Sequence, residues 1–290
     1  MIIVQLKGGL GNQLFQYAAG LSLGKHHRVD VTVDVAELRQ PDEAIGTFRA
    51  YELMHLIKPP AIASEEEIKN IKHKTISKRY LDKLFPSYKR TIYNEKQFCF
   101  DKNFFNSGNH IYLKGYRQSE KHFKPIEKAV QQDFQLQHEL VADIKDFGKQ
   151  LSSINSVSIH VRRGDYANTA VTEYHGSLDK DYYQRAIDKI SSVVPDPTFF
   201  VFSDDINWVK NNVTFEKSVA FISGSISTTH YEDFYLMSCC RHNIIANSSF
   251  SWWAAWLNLN PNKAIIAPKK WFNNPKLNSD DLIPGNWMKL

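Results

Sequence analysis

Ile2-Ile3-Val4-Gln5-Leu6, followed by Gly8-Gly9-Leu10-Gly11-Asn12-Gln13, sets the reading of the first half of this chain. Val157-Ser158-Ile159-His160-Val161, followed by Arg162-Arg163-Gly164-Asp165, does the same for the second. Each is a stretch of strand length that gives way to a loop. In open α/β sheets ligands bind at such strand ends. A glycine loop that opens a helix presents backbone N–H groups and the positive end of the helix dipole to an anion. A pair of arginines adds fixed charge and planar donor forks that suit phosphate oxygens. The two stretches together imply a nucleoside diphosphate held in a cleft between two halves.

Working outward, Asn12 to about Gly24 reads as a helix with Leu14, Ala18 and Leu21 on one face. Val29–Val35 alternates like a strand, Ile111–Leu113 is a short strand ending at Gly115, and residues 64–90 read as one or two amphipathic helices. Phe123 to about Leu151 reads as mostly helical and holds the domain boundary, dividing the chain into 1–150 and 151–290. Beyond it, strands at Val157–Val161, Thr198–Phe202, Val219–Ile222, Asn243–Ala246 and Ala264–Ala267 alternate with helices near 180–193, 230–241 and 250–258. That series predicts a parallel, doubly wound sheet.

The chain has 290 residues, 42% of them hydrophobic, enough for two domains that each bury a core. A net charge of +5 is too mild to imply nucleic acid. Basic residues do crowd the segment from Lys69 to Arg90, which suggests peripheral contact with an anionic membrane or, more plainly, a solvated helical face. Three cysteines without a C-x-x-C give neither a disulfide framework nor a zinc site. No secretory signal is read ahead of Ile2 and no apolar run reaches membrane-spanning length, so the expected setting is cytoplasmic.

Each motif has a plain reading beside its functional one. Gly9-Leu10-Gly11 half-matches a dinucleotide fingerprint, and Asp34 falls about 20 residues on, where a ribose-binding acid would sit. The third glycine, the one that permits close helix–strand packing, is replaced by Leu14, which weakens that match. The glycines would otherwise make only a tight turn. Arg162 and Arg163 suit a diphosphate, with Asp165 orienting a guanidinium, or form a surface salt-bridge cluster. Ser203-Asp204-Asp205 suits guanine or ribose contact, a metal, or a helix N-cap; Asp-Asp without a nearby His or third acid argues against the metal. Asn247-Ser248-Ser249-Phe250 opens a helix and makes another anion site, or caps it, while Trp252, Trp253 and Trp256 read as core. Glu173, Tyr174 and His175 lie in a loop after the arginines, where each could face a reacting group.

Taken in order, five segments resemble the α-1,2-fucosyltransferases of glycosyltransferase family 11. They are Gly8–Tyr17, Gly115–Lys121, His160–Tyr166, Phe202–Asp205 and Asn247–Trp253, spread over about residues 1 to 257. The resemblance implies an α/β fold of GT-B type, with two Rossmann-like domains facing a cleft. It implies inverting transfer from GDP-L-fucose to the 2-hydroxyl of a terminal β-galactoside in glycan synthesis, without a metal or other cofactor. By position it assigns His160 and Asp204 to guanine and Arg162 and Arg163 to the diphosphate. Gly11, Asp205, Ser248, Ser249 and Phe250 fall on the donor side, and Asn12 is the amide that reaches the donor from the facing domain. Tyr116, Arg117, Tyr174 and His175 fall on the acceptor side, though Arg117 departs from the aromatic residue often found there. For the general base, Asp34, Glu173 and His175 remain open. The alternative class is a nucleotide-dependent Rossmann protein, either a dinucleotide oxidoreductase or a non-catalytic nucleotide- or sugar-binding module.

Overall fold

The computed structural model describes residues 1–41, 48–56, 58–72, 82, 84–135, 140–163, 178–274 and 276–290. Asp165, Glu173, Tyr174 and His175 therefore lie outside the described residues, as do Lys74, Lys78, Arg79 and Lys83 of the basic segment. The chain divides into two compact units: Met1–Gln137 with Leu277–Pro284, and His138–Lys276 with Gly285–Leu290.

In the first unit β1 (Ile2–Gln5), β2 (Val31–Asp34), β3 (Ala61–Ile62), β4 (Ile92–Asn94) and β5 (Ile111–Lys114) form one sheet in the order β3-β2-β1-β5-β4. The pairings are parallel. β1 is buried along its whole length. Strand order reverses beside it: the chain steps out through β2 and β3, then returns to the other side with β4 and β5. The loops after β1 and β5 diverge there.

α1 (Leu10–His27) begins two residues ahead of the expected Asn12 and runs three past Gly24. It buries Leu14, Phe15, Ala18, Ala19 and Leu23. The third glycine missing from the fingerprint is supplied elsewhere. A Cβ on Gly20 would lie 2.2 Å from Val4 Cγ2, and one on Gly24 2.2 Å from Val31 Cγ2. Two glycines one turn apart thus let α1 lie against β1 and β2.

The second unit holds α4 (Ala142–Ser153) and a parallel sheet of β6 (Ser156–Val161), β7 (Thr198–Ser203), β8 (Val219–Phe221), β9 (His242–Ile244), β10 (Ile265–Ala267) and β11 (Met288–Lys289). The order is β11-β10-β9-β6-β7-β8. Read from β8, this is the 3-2-1-4-5-6 order of a dinucleotide-type fold, with its switch point between β6 and β9. The connections carry α5 (Lys180–Ser191), α6 (Ile206–Asn212), α7 (His230–Cys239) and α8 (Ser249–Leu257). α5 starts at Asp179, whose carboxylate accepts from Tyr182 N–H at 2.8 Å. α7 starts with a capping box between Thr229 and Glu232. α8 buries Trp252, Trp253 and Trp256, and Trp287 packs on Trp252, so these tryptophans are core.

Several elements differ from the sequence reading. The stretch from Phe123 to Leu151 is a 3-10 turn, then α3 (Glu127–Asp133), then α4. The division falls at 137/138 rather than 150 because α4 packs on α7. Gly148 makes that contact close: a Cβ there would meet Tyr235 Cε1 at 2.8 Å. Of the basic segment, α2 (Glu65–Lys72) opens with three glutamates and pairs Lys69 with Glu65 and Lys72 with Asp34. Among the described residues no helix is long and apolar enough to cross a membrane.

Gly20→Ala forces a methyl group into Val4 and should lower stability by about 1–3 kcal/mol, the usual penalty of overpacking. Urea denaturation should show a reduced midpoint with unchanged slope. An unchanged midpoint would mean that α1 does not depend on this close approach.

Candidate active site

β6 places the first set of side chains. His160 lies near its end, paired in register with Phe202, and Val161 is paired with Ser203, so the loops after β6 and β7 leave the sheet at one level. Asp204, one residue beyond β7, holds both arginines. Its Oδ1 accepts from Arg163 N–H at 2.7 Å, and its Oδ2 lies 3.6 Å from Arg162 Nε. The Arg163 guanidinium carbon stands 4.3 Å from the centre of the Trp208 ring, a cation–π contact that keeps this long side chain near the strand end. The family resemblance implies a guanine contact for Asp204, and no sequence motif marks Trp208. The structure turns the Asp204 carboxylate onto the arginine pair.

Asp205 does a different task from its neighbour. Its Oδ1 accepts from Trp208 N–H at 2.9 Å and caps α6, and its own N–H donates to Ser203 Oγ at 2.9 Å. This is the N-cap role that the sequence also allowed for this acid. Ser203 N–H donates to Ser223 Oγ, whose hydroxyl donates to Asp233 Oδ2 at 2.7 Å. The Ser227 hydroxyl donates to the other Asp233 oxygen. No motif in the sequence flags this serine–carboxylate chain, since its members come from β7, the turn after β8 and α7.

Across the switch point, Ser248 is the N-cap of α8 and its side chain makes no capping bond. The first turn carries no acidic residue, so its N–H groups remain suited to an anion. Phe250 gathers three rings: His160 at 5.7 Å, His230 at 6.4 Å and Phe234 at 5.3 Å between centroids. His160 is 6% exposed and its Nδ1 has no protein partner among the described residues. Burial, then the nearby Arg162 charge, push its pKa down to about 3, so the imidazole is neutral near pH 7.

The second set of residues lies in the first unit, at the switch point between β1 and β5. Gly8 takes a positive φ of +75°, and a Cβ there would strike Asn12 Nδ2 at 2.5 Å. Gln13 and Gln16, both buried, stitch this loop in place. Gln13 Nε2 donates to the carbonyls of Gly8 and Ala50, and Gln16 Oε1 accepts from Lys7 N–H. Gly11 is buried within the first turn of α1, whose N-cap Gly9 has no side chain to satisfy the first N–H groups.

The loop after β5 hangs on Glu95, whose carboxylate accepts from the N–H groups of Tyr116 and Arg117 at 2.6 and 2.9 Å. Burial raises the Glu95 pKa, and Arg117 and these two bonds offset part of that. Gly115 takes φ +125°, and a Cβ there would lie 2.3 Å from Glu95 Cβ.

Arg117 is a correction. It is 2% exposed, its Nη2 donates to the carbonyls of Tyr93 and Lys114, and its guanidinium lies 4.3 Å from the centre of the Tyr93 ring. Its side chain points into the core of its own unit, where it holds the loop and does not meet an acceptor sugar. The Tyr116 ring stacks on Phe98 at 5.8 Å and takes Lys7 Nζ at 4.1 Å. Asp34, a candidate ribose acid or base, is 2% exposed. It accepts from Tyr112 OH at 2.6 Å and Ala36 N–H at 2.9 Å, with Lys72 Nζ at 3.0 Å. Burial alone would raise its pKa; these partners outweigh it and hold the carboxylate below the usual range. Asp34 is thereby a structural anchor.

This geometry defines an α/β protein of two Rossmann-like units, with an anion-suited strand end in the second. The chain belongs to glycosyl transferase family 11, which matches residues 1–290. It is 33% identical over 298 residues to an alpha-1,2-colitosyltransferase of Escherichia coli, covering 100% of this chain and 99% of that one. It is 30% identical over 157 residues to galactoside 2-alpha-L-fucosyltransferase SEC1 of Bos taurus, covering 52% and 43%. Among solved structures, the Bradyrhizobium α-1,6-fucosyltransferase NodZ soaked with GDP-fucose superposes with a TM-score of 0.50 at 13% identity, covering 88% of this chain and 91% of that one. The fold class is the GT-B type that the motifs implied. Family membership sets aside the oxidoreductase alternative.

If His160 is neutral in the folded state, its ring NMR signals should not titrate between pH 8 and 5. The sign for stability follows. The unfolded imidazole, with a pKa of about 6.5, binds a proton that the folded one refuses. The contribution is full above about pH 6.5 and is lost as pH falls toward about 3. A His160 titration midpoint near 6.5 in the folded protein would contradict the site as described.

Proposed function

We propose that this enzyme transfers L-fucose from GDP-L-fucose to the 2-hydroxyl of a terminal β-galactoside, with inversion, in building a glycan. The observation that carries this reading is the arginine pair at the end of β6, fixed by Asp204 and Trp208 and standing across the switch point from the N-terminus of α8. Two guanidinium groups and uncapped helix N–H groups suit the two phosphates of a nucleoside diphosphate. His160 and the rings around Phe250 suit its base. Support for the sugar and linkage comes from the named relatives, one a colitosyl and one a galactoside 2-α-L-fucosyltransferase.

In the proposed reaction the acceptor oxygen attacks the anomeric carbon on the face opposite GDP. The new C–O bond forms as the bond to the phosphate oxygen breaks, through an oxocarbenium-like transition state. GDP departs with added negative charge, which Arg162, Arg163 and the α8 N–H groups stabilise. The acceptor proton passes to a general base. Asp34, already saturated with donors, is unsuited to that task. Transfer is proposed to need no metal, because the guanidinium pair takes the role of a cation on the diphosphate. A second reading, transfer of colitose from its GDP ester, is favoured by the identity to the colitosyltransferase.

The test is an assay of the enzyme with lactose in EDTA, with GDP-L-fucose or GDP-colitose as donor and the product linkage read by NMR. An α-1,2-linked fucosyl product is expected, and 2-deoxygalactosides should not react. A strong preference for GDP-colitose would select the second reading. Loss of transfer in EDTA with rescue by Mn²⁺, or linkage at another hydroxyl, would overturn the metal or acceptor assignment.

A further inference from the structure

Gln118, in the loop after β5, is 7% exposed. Its Nε2 donates to Asn12 Oδ1 at 2.7 Å, which joins the loops after β1 and β5 across the switch point of the first unit. Its other amide atom, Oε1, is enclosed and has no hydrogen-bond partner among the described residues. A buried acceptor left without a donor is costly and uncommon in a folded protein. Its setting is equally specific. The pair lies at the N-terminus of α1, a helix of 18 residues whose N-cap, Gly9, has no side-chain bond. Asn12 and Gln13 N–H donate to the Gly9 carbonyl at 3.0 and 3.1 Å, and the helix itself offers no acceptor to the N–H groups of Leu10 and Gly11 ahead of them.

We propose that Gln118 and Asn12 form a two-amide reader of a sugar hydroxyl. Gln118 Oε1 accepts the hydroxyl hydrogen, while Asn12 Nδ2 or a first-turn N–H donates to the hydroxyl oxygen. The choice of ligand follows from this polarity. An ionised phosphate can only accept, and would leave Oε1 unsatisfied. A hydroxyl both donates and accepts, and it completes the set. Gly8 belongs to the device, since any larger residue there would displace Asn12 Nδ2. The inference rests on the glycosyltransferase reading and adds to it a hydroxyl-binding role for Gln118. The hydroxyl can come from the transferred sugar or from the acceptor, and the experiment separates these sources.

The test compares wild-type enzyme with Gln118→Leu and Gln118→Glu. Donor and acceptor are varied in turn in steady-state kinetics, GDP binding is measured by calorimetry, and Tm is recorded for each variant. Gln118→Leu removes the acceptor atom and should raise KM for one sugar substrate by about tenfold or more, with GDP affinity within about twofold of wild type. Gln118→Glu keeps an acceptor oxygen toward the hydroxyl and, once the Asn12 amide turns to offer Nδ2 to the carboxylate in place of the lost Nε2 donor, should recover part of that loss, which a purely structural role would not produce. A KM change confined to the donor places the hydroxyl on the transferred sugar, and one confined to the acceptor places it there. Unchanged KM for both substrates overturns the proposal. So does equal damage in the two variants, or a parallel loss of GDP affinity. Should Gln118→Leu not fold, Asn12→Asp carries the test: it keeps an acceptor for Gln118 Nε2 but loses the donor to ligand, and must raise the same KM. Wild-type protein that transfers no sugar would defeat the glycosyltransferase reading and this assignment with it, whereas active wild type with unchanged KM in Gln118→Leu defeats this assignment alone.

Discussion

The reversal of strand order beside β1 and beside β6 is the constraint from which both sites follow. In a parallel sheet every strand ends with its loop on the same edge. Neighbouring loops run apart only where the chain has left one side of the first strand and returned on the other. At those two points backbone N–H groups face outward without a strand to pair them. The residues proposed to meet ligand stand there: Arg162, Arg163 and Ser248 in one unit, Asn12 and Gln118 in the other. Buried strands behind each edge fix the positions. β6 is buried throughout, so the arginines leave from a rigid base.

Around each edge a set of hydrogen-bonded side chains holds the loops. Asp204 binds the Arg163 backbone and faces Arg162, and the Asp233–Ser223 chain holds the end of β7. In the other unit Glu95, Gln13, Gln16 and the Arg117 guanidinium do the corresponding work. Arg117 itself adopts φ +54°, a backbone conformation few side chains favour. Two N–H bonds to Glu95 and the buried guanidinium keep it there. This support is the condition for preorganised electrostatics: donors already aimed where charge develops need no rearrangement during reaction.

Much of this was legible in the sequence because several apolar or alternating stretches of strand length are buried strands. Val157–Val161 and Phe199–Phe202 announce themselves by composition. β3 and β11 are only two residues long, and β3 is exposed, so neither leaves a periodic trace. The diphosphate-suited arginines were legible because charge at the end of a buried run needs a reason. Asp34 misled because it falls at the spacing of a ribose-binding acid, yet Tyr112 and Lys72, 78 and 38 residues away, take its oxygens. Arg117 misled for a similar reason: its burial under Tyr93 and Phe104 depends on contacts that no local pattern encodes. The two-glycine contact of α1 has no trace in the dinucleotide fingerprint, because Gly20 and Gly24 lie beyond its span.

The central claim is that the end of β6 binds a nucleoside diphosphate chiefly through its phosphates. Calorimetric titration of the unliganded enzyme with GDP and with guanosine tests it most directly. Charge-assisted contacts to two phosphates should make GDP bind at least about a hundredfold more tightly than guanosine, with the difference shrinking as salt is raised. Equal affinity for the two, or a GDP affinity insensitive to salt, would contradict the assignment of Arg162, Arg163 and the α8 N-terminus to the diphosphate.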